Sequence, residues 1–318
     1  MKNKHIDHPE DAILLEGREG LNKVLNFFRQ KNSHLSVKYD GSLAVVWGIN
    51  PENKKFFVGT KSVFNKIKIK INYTHYDIEI NHGHIPAVAS ILHMCLEKLP
   101  RVEGIYQGDF IGFGGGKEYT SNTITYKFSD IVDEDIIVAA HTTYSGDTIK
   151  DSVASFECGR IASEECKFLD TSANFLGRGY GIGLNIILCN MLSLYVKYPD
   201  EKFGQQLKKY INSYIRMGHP IDAQRIAKET KCNVNLIRLY NLIIKIKETL
   251  MDTIESYQEV YLSIGSDPCG HEGYVMTNKH GTYKLVKRHV FSHANFIKND
   301  KSDNESILTL QKPLKRSR

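Results

Sequence analysis

The sequence feature that most constrains the fold is a polar turn at residues 37–42 (VKYDGS), which separates two apolar segments. The segment after the turn, residues 43–47 (LAVVW), is apolar throughout, which is typical of a central strand of a sheet. The segment before it also favours a strand, so a sheet is expected to begin here. The turn places the amine of Lys38 beside the carboxylate of Asp40. Gly41 permits either a positive φ or a close approach of the backbone to a ligand.

Taken alone, the K-x-D-G pattern at residues 38–41 has two interpretations. One is a hairpin turn with a surface lysine, because patterns of four residues recur by chance. The other is a nucleophilic amine, which attacks only after losing its proton and therefore needs desolvation or neighbouring positive charges. The rest of the chain is needed to choose between them.

Four further stretches follow this turn along the chain: GTK at 59–61, YQGDF at 106–110, HEGYV at 271–275 and YKLVK at 283–287. Together with the turn, and in this order, they resemble motifs I, Ia, III, IV and V of the covalent nucleotidyltransferases. This superfamily contains the ATP-dependent DNA and RNA ligases and the mRNA capping enzymes. The sequence KYDGSL at residues 38–43 is most similar to motif I of phage-type RNA ligases.

The resemblance implies a reaction with ATP in which Lys38 is the nucleophile. Lys38 attacks the α-phosphorus, pyrophosphate leaves, and a lysyl-AMP intermediate forms. The AMP then passes to a 5′-phosphate end of RNA or DNA, and a 3′-hydroxyl displaces it and seals the strand. Lys284 and Lys287 are expected to contact the α-phosphate and, as like charges, to favour the unprotonated amine of Lys38. Glu272 is expected to bind Mg²⁺ or Mn²⁺ through its carboxylate oxygens.

The other site residues also follow from the resemblance. Asp109 stands where motif III has a glutamate that contacts ribose or a metal-bound water, and its shorter side chain favours contact through water. Lys61 replaces the arginine of many ligases and loses its bidentate hydrogen bonding. In total, the resemblance assigns catalysis to Lys38, Lys284 and Lys287, nucleotide binding to Asp40, Gly41, Lys61, Asp109, His141, Glu272, Lys284 and Lys287, and metal binding to Glu272 and Asp109.

The residue that packs on the adenine is less clearly marked in the sequence. His141 follows the apolar strand predicted at residues 136–140 and is the first candidate. Tyr144 and Phe128 are rivals, because the stretch departs from the usual Phe-Asp pattern of motif IIIa.

The predicted fold class is α+β. A nucleotidyltransferase (ATP-grasp-like ligase) domain of antiparallel sheets with flanking helices is expected at residues 1–160 and 262–300. A helical insertion is expected at 161–261, where the spacing of apolar residues becomes helical from Ile182 onward. The last helical stretch is expected to run from Val234 to Ile264. Residues 301–318 form a basic tail, and too few residues follow the last motif for the OB-fold domain of DNA ligases and capping enzymes. This favours an RNA-ligase-like enzyme.

Composition sets the broad class of the protein. Hydrophobic residues make up 41% and charged residues 25%, which is typical of a globular protein. No apolar run reaches the length of a membrane span, so no membrane is expected, and a monomer in the cytoplasm (the host cytoplasm if the protein is viral) is predicted. Six cysteines without C-x-x-C spacing predict reduced thiols. A net charge of +6 is compatible with a polyanionic partner.

Other interpretations remain open from the sequence. The chain is alternatively a ligase for nicks in DNA or in RNA/DNA hybrids, or a nucleic-acid-binding protein with a degenerate site; a capping guanylyltransferase is the least favoured. The lysines that alternate with isoleucines at residues 66–71 predict either an exposed strand with a basic face or a basic loop over a groove. These lysines either protect a solvated edge strand or bind phosphate. The basic residues of the helical segment likewise contact either solvent or nucleic acid.

Overall fold

The computed structural model describes residues 6–177, 181–257, 260–265, 267–270, 272–289 and 291. Over this part of the chain the protein has eight α-helices and several antiparallel sheets, which confirms the α+β class. The chain divides into two compact units. The first contains Ser36–Ser172 and Ser256–His271, and the second contains Ile6–Leu35, Ala173–Glu255 and the described residues from Glu272 onward.

The strands in chain order are β1 (His34–Val37), β2 (Leu43–Ile49), β3 (Phe56–Gly59), β4 (Ile105–Phe113), β5 (Glu118–Ser121), β6 (Ile124–Lys127), β7 (Ile136–Ser145), β8 (Val153–Ser155), β9 (Cys166–Phe168), β10 (Ala173–Phe175), β11 (Ile254–Ser256), β12 (Tyr261–Ile264), β13 (Asp267–Cys269), β14 (Gly273–Asn278) and β15 (Gly281–Val286). The helices are α1 (Ala12–Leu15), α2 (Gly17–Arg29), α3 (His75–His82), α4 (Pro86–Lys98), α5 (Gly181–Ser193), α6 (Glu201–Arg216), α7 (Ala223–Thr230) and α8 (Val234–Met251). Short 3₁₀ helices occur at Pro9–Asp11 and Lys61–Phe64.

The main sheet of the first unit has the strand order β3-β2-β4-β7-β8, and β9 pairs in parallel with β7. Both faces of the central strand β2 are buried. Val45 and Trp47 pack in one core cluster with Leu92 of α4, whereas Val46 packs in a second cluster with Phe57. Burial on both faces explains why this strand is apolar throughout, and it makes β2 a fixed support for the turn that precedes it.

A second sheet of the first unit has the order β13-β12-β6-β5, and its pairings are antiparallel. Strands β5 and β6 form a hairpin whose turn contains Asn122 with a positive φ of 51°. Asparagine tolerates this left-handed conformation better than most residues, which accounts for a tight turn at this position.

The second unit contains six of the helices and the hairpin β14–β15. Asp200, Asp222 and Asn233 cap the N-termini of α6, α7 and α8 by accepting hydrogen bonds from backbone N–H groups in the first turn. Helix α8 buries a stripe of apolar side chains spaced three and four residues apart, which is the expected pattern for a helix packed against a core. These side chains include Leu236, Leu239, Ile243, Ile246 and Leu250.

A buried network of charges joins distant parts of the chain within the second unit. Lys247 of α8 donates to Glu10 at 2.7 Å, and neither side chain is more than 1% exposed. Arg288 donates to Asp11 at 3.2 Å and to Tyr240 at 2.8 Å. Burial alone would raise the pKa of Glu10, but Lys247, His8 and Arg288 reverse this and hold the pKa well below its usual value.

The helical segment differs from its predicted limits. Its helices begin at Gly181 and end at Met251, and three short strands, β9, β10 and β11, lie within residues 161–261. The expectation that the last helix continues to Ile264 is wrong, because Tyr261–Ile264 is a strand paired with β6. The grouping of residues differs as well, since residues 6–35 belong with the helices and not with the main sheet. Apolar spacing over a few residues does not distinguish the end of a helix from a short strand. Whether a strand forms depends on pairing with a partner strand.

Of two other expectations, the structure tests one, and the other concerns residues outside the described part of the chain. Residues 66–70 form bends and irregular structure, so the predicted alternative of an exposed strand is wrong and these lysines lie in a loop. The groove beneath that loop stays a prediction. The basic tail at 301–318 lies outside the described residues. Within the part of the chain that the structure describes, no helix is both long and apolar enough to cross a bilayer.

The buried pair of Glu10 and Lys247 gives a testable prediction about stability. Lys247→Met leaves the Glu10 carboxylate buried with Arg288 as its remaining cation, and we expect a loss of about 3 kcal/mol in the free energy of unfolding at pH 7. Lys245→Met is the matched control, because Lys245 is an exposed residue of the same helix; it should change stability by less than about 0.5 kcal/mol. Urea unfolding followed by circular dichroism measures both.

The pH dependence gives a second check of the same pair. Because the pKa of Glu10 is lowered in the folded state, the stabilisation is present above the ordinary glutamate value of 4.5 and is lost as the pH falls toward the folded value. The difference between wild type and Lys247→Met should therefore shrink below pH 4.5. Equal losses in both lysine variants at pH 7 would contradict the assignment.

Candidate active site

The loop that carries Lys38 is held tightly against strand β4. The N–H of Ser42 donates to the carbonyl oxygen of Phe110 at 2.9 Å. A Cβ atom on Gly41 would lie 2.5 Å from that same oxygen and 2.7 Å from the Cβ of Asp109, so no side chain fits. Gly41 does not have a positive φ. The expected positive φ is therefore wrong, and the structure gives a reason the sequence did not offer, because the backbone of Gly41 lies directly against strand β4.

The hairpin β5–β6 holds the loop from its other side. The hydroxyl of Tyr126 accepts from the N–H of Asp40 at 2.8 Å and donates to the carbonyl oxygen of Asp40 at 3.1 Å. The side-chain amide of Asn122 donates to the carbonyl oxygen of Gly41 at 2.6 Å. Sequence reasoning missed both residues. The turn at Asn122 was open to prediction, but its contact with a loop eighty-one residues earlier has no local signal.

Burial differs between neighbouring residues of the lysine loop. Tyr39 is buried, and its hydroxyl donates to the carbonyl oxygen of Asp170 at 3.1 Å. Lys38 and Asp40 are partly exposed, with 17% and 29% of their side chains accessible, and Lys38 Nζ lies 4.0 Å from Asp40 Oδ1. The buried tyrosine thus anchors the loop, while the side chains on either side of it stay partly accessible.

Asp109 and His141 lie on the neighbouring strands β4 and β7. The pairing of these strands shifts between Gln107 and Gly108, and His141 is the extra residue of the resulting bulge on β7. Bulges redirect a side chain relative to the regular pleat. Here His141 Nε2 lies 3.8 Å from Asp109 Oδ2, and Nδ1 lies 2.7 Å from the hydroxyl of Thr142.

Lys61 completes the group of predicted residues in the first unit. It directly follows Thr60, whose hydroxyl accepts from the N–H of Ser62 and caps the 3₁₀ helix in which Lys61 is the first residue. The strand that precedes Lys61 ends at Gly59, which pairs with Val46 of β2. Lys61 is exposed.

The electrostatics show that these side chains act on one another. Burial raises the pKa of Asp109, His141, Lys38 and Lys61 lower it, and Asp40 raises it. Burial lowers the pKa of His141, Asp109 raises it, and Lys61 and Lys38 lower it further. The imidazole of His141 is therefore held neutral near pH 7, and the carboxylate of Asp109 carries a charge that burial disfavours. A cation close to Asp109 would relieve that cost, which suits a hard oxygen ligand of Mg²⁺.

The two rivals of His141 have other roles. Tyr144 is buried, donates to Gln107 at 2.7 Å and packs on Phe64 with the ring centroids 4.4 Å apart. Phe128 meets Tyr119 edge to face at 5.6 Å. Only His141 of the three lies beside Asp109 among the described contacts, and its contact with adenine stays a prediction.

The remaining predicted residues belong to the second unit. Glu272 is buried and immediately precedes β14. Lys284 lies opposite Val275 in β15, and its backbone N–H donates to the carbonyl oxygen of Asp7 at 3.0 Å. Lys287 follows the end of β15 and lies 3.7 Å from Asp252.

The hairpin β14–β15 pairs without a register shift. Strand β15 ends at Val286, so Lys284 lies within the strand and Lys287 follows it, and the two lysines do not share one strand face. Among the described residues, no group of three or more His, Cys, Asp and Glu side chains is arranged to hold a metal. Magnesium is usually held by one or two carboxylates together with substrate phosphates, so Glu272 and Asp109 stay predicted ligands.

Comparison with known proteins identifies the family. A model described as a family of unknown function (DUF6267) matches residues 3–231 and 221–301, so the chain belongs to that family. Neither a curated protein nor a solved structure matched.

The contact between Gly41 and β4 predicts the effect of one added methyl group. Gly41→Ala places a Cβ inside the contact distance of a backbone carbonyl, which must move, and we expect a loss of about 1–3 kcal/mol in the free energy of unfolding. Gly159→Ala is the control, because a Cβ on Gly159 meets nothing within 4 Å. Urea unfolding compares the two variants, and an equal effect of both would contradict the proposed close packing.

The raised pKa of Asp109 predicts that this residue reduces stability. Asp109→Asn removes a charge that burial disfavours, so the variant should be more stable than wild type at pH 7 by on the order of 1 kcal/mol. The pKa of Asp109 in the folded protein lies above the ordinary value of 3.8, so wild type gains stability as the pH falls through the folded pKa. The stability difference between wild type and Asp109→Asn therefore narrows at low pH. Melting temperatures from pH 7 to pH 4 test this, with the exposed Asp147→Asn as control. A stability loss in Asp109→Asn at pH 7 would refute it.

Proposed function

We propose that this protein is an ATP-dependent polynucleotide ligase, acting on RNA, that forms a covalent lysyl-AMP intermediate on Lys38. One observation carries the proposal. Residues chosen from four separate stretches of sequence, namely Lys38 with Asp40, Lys61, Asp109 and His141, lie within electrostatic range of one another in a single compact unit. Unrelated surface residues would not be expected to converge in this way.

The position of Lys38 supports a role as nucleophile. Transfer of a nucleotidyl group depends mainly on positioning and on charge stabilisation, and less on covalent activation. The loop is fixed on one side by β4 through Ser42 and on the other by Tyr126. Holding a reactive group in one geometry removes much of the entropic cost of the reaction. A surface lysine in an ordinary hairpin turn would need no such double attachment.

The neighbouring groups have the chemistry that the reaction requires. The side chain of Lys61 supplies positive charge for a phosphate or ribose oxygen. Asp109 offers a carboxylate whose ionised form a metal ion or metal-bound water would stabilise, and the neutral ring of His141 presents an aromatic face. Lys284, Lys287 and Glu272 enter the proposal through the sequence resemblance alone.

Two features favour a nucleic acid, and RNA in particular, as the second substrate. The net charge of +6 attracts a polyanion, and the motif at residues 38–43 resembles that of RNA ligases. The greater similarity of residues 38–43 to motif I of phage-type RNA ligases is the reason to choose RNA.

Intact mass spectrometry tests the covalent step. After incubation with ATP and Mg²⁺, the full-length protein should gain the mass of one AMP and release one pyrophosphate. Lys38→Ala and Lys38→Arg should both abolish the gain, because arginine keeps the charge but is not a nucleophile at neutral pH. Lys55→Ala, at an exposed lysine of the same unit, should behave as wild type. An adduct that persists in Lys38→Arg would refute the assignment of the nucleophile.

Strand sealing tests the substrate separately. Single-stranded RNA, a DNA nick and an RNA/DNA hybrid nick, each with a 5′-phosphate and a 3′-hydroxyl, are compared at equal concentration. We expect RNA to be sealed fastest. Faster sealing of either nick would overturn the choice of RNA but not the adenylation step. Salt-dependent binding of nucleic acid without any AMP adduct would instead indicate a binding protein.

A further inference from the structure

Helix α5 has no charged side chain on any of its faces. The segment from Gly181 to Val196, which contains α5 and the turn that follows it, includes no Asp, Glu, Lys or Arg. The backbone continues past Ser193 in a tight turn, because the N–H groups of Leu194 and Tyr195 donate to carbonyl oxygens three residues earlier. A helix that is apolar all round is normally buried all round, so α5 is expected to be covered on more than one side.

Only one face of α5 is covered within the second unit. Asn185, Ile186 and Cys189 are buried on this face, and the helix packs against α8. The opposite face presents large apolar side chains that follow one another in steps of three and four residues, which places them in one stripe about 120° wide. These side chains, called the α5 stripe below, are Leu184, Ile187, Leu188, Met191, Leu194 and Tyr195, and each is between 40% and 71% exposed.

The area of the α5 stripe is close to that of a protein interface. Its six side chains together expose on the order of 700 Å². The largest apolar patch on a monomer usually measures about 300–600 Å², and a standard interface buries about 800 Å² on each partner. The stripe thus exceeds what a monomer usually exposes, and it nearly supplies one side of a stable interface.

The chemistry of the stripe favours a second copy of this chain as its partner. Interfaces between identical subunits are more apolar than those of transient complexes. The lack of charge in this segment means that like charges of the helix do not oppose the approach of a second copy. A helix that lies on a lipid surface has lysines and arginines on its polar face. Helix α5 has none, and its other face packs on protein.

The α5 stripe is also complementary to itself. If two α5 helices pack antiparallel about a two-fold axis midway between Leu188 and Met191, each of these residues meets the other one of the second copy. The same axis places Leu184 opposite Tyr195 at both ends of the contact. A two-fold interface uses the same surface on both subunits, which a stripe with this symmetric spacing can supply.

We propose that the α5 stripe joins two copies of this chain in a two-fold dimer in which the two α5 helices are antiparallel. The dimer replaces the monomer expected from the sequence. It does not depend on the proposed function, because the stripe contains none of the residues assigned to adenylation.

Sedimentation equilibrium of the full-length protein tests the dimer. At about 10 μM we expect two chains per particle. Leu188→Glu should raise the dissociation constant at least about 100-fold, because each dimer would bury two carboxylates without partners. Ile67→Glu is the matched control, since it introduces the same charge at a side chain that is 92% exposed and lies outside the stripe. It should dimerise as wild type does, and circular dichroism should confirm that both variants are folded.

A pair of opposite charges tests the antiparallel arrangement. Leu188→Lys and Met191→Glu should each give monomers when made alone. In the double variant Leu188→Lys/Met191→Glu, each new charge meets the opposite charge of the second copy, so dimers should return. No recovery in the folded double variant would overturn the antiparallel pairing.

Two other outcomes would overturn the interface itself. A dimer that persists in folded Leu188→Glu would place the contact on another surface. A monomeric wild type would overturn the dimer, and sedimentation of that monomer with neutral phosphatidylcholine vesicles would assign the stripe to lipid instead.

Discussion

The close contact between the lysine loop and strand β4 is the constraint on which the candidate active site depends. Gly41 has no side chain, so the loop backbone lies directly on β4 and Ser42 donates to Phe110. This contact brings Lys38 into the group that contains Asp109. The sheet beneath is closely packed on both faces of β2, and the proposed attack by Lys38 would require such a fixed support.

Each unit contains a carboxylate whose pKa is shifted by its surroundings, and the two shifts have opposite directions. In the second unit, the buried carboxylate of Glu10 has Lys247 and Arg288 as partners, and the net effect lowers its pKa. In the first unit, His141 and two lysines do not fully offset the burial of Asp109, and its pKa is raised. The first arrangement is what a fold needs, because buried ions must be paired. The second is costly for stability, and such costs are concentrated at sites where a ligand or metal supplies the missing charge.

Local patterns predicted much of the fold. The strands on either side of the lysine turn, the apolar strand before His141 and the start of the helical segment near Ile182 all follow from local sequence patterns. The same reasoning extended the last helix across Tyr261–Ile264, because a short apolar stretch fits either structure. It also left the lysines at residues 66–70 undecided between strand and loop. In both cases the outcome depended on whether a partner strand was available, which is not a local property.

The sequence by itself determined the order of the motif-like stretches, the residue types they offer for chemistry and the α+β class. Only the tertiary structure decided that a bulge turns His141 toward Asp109 and that Tyr126 and Asn122 hold the loop of Lys38. It also decided that His75 and His93 meet across two helices. The physical reason is that each of these contacts joins residues far apart in the chain. Their meeting is set by strand register and by the packing of whole elements, whereas local sequence fixes only the conformation of each element.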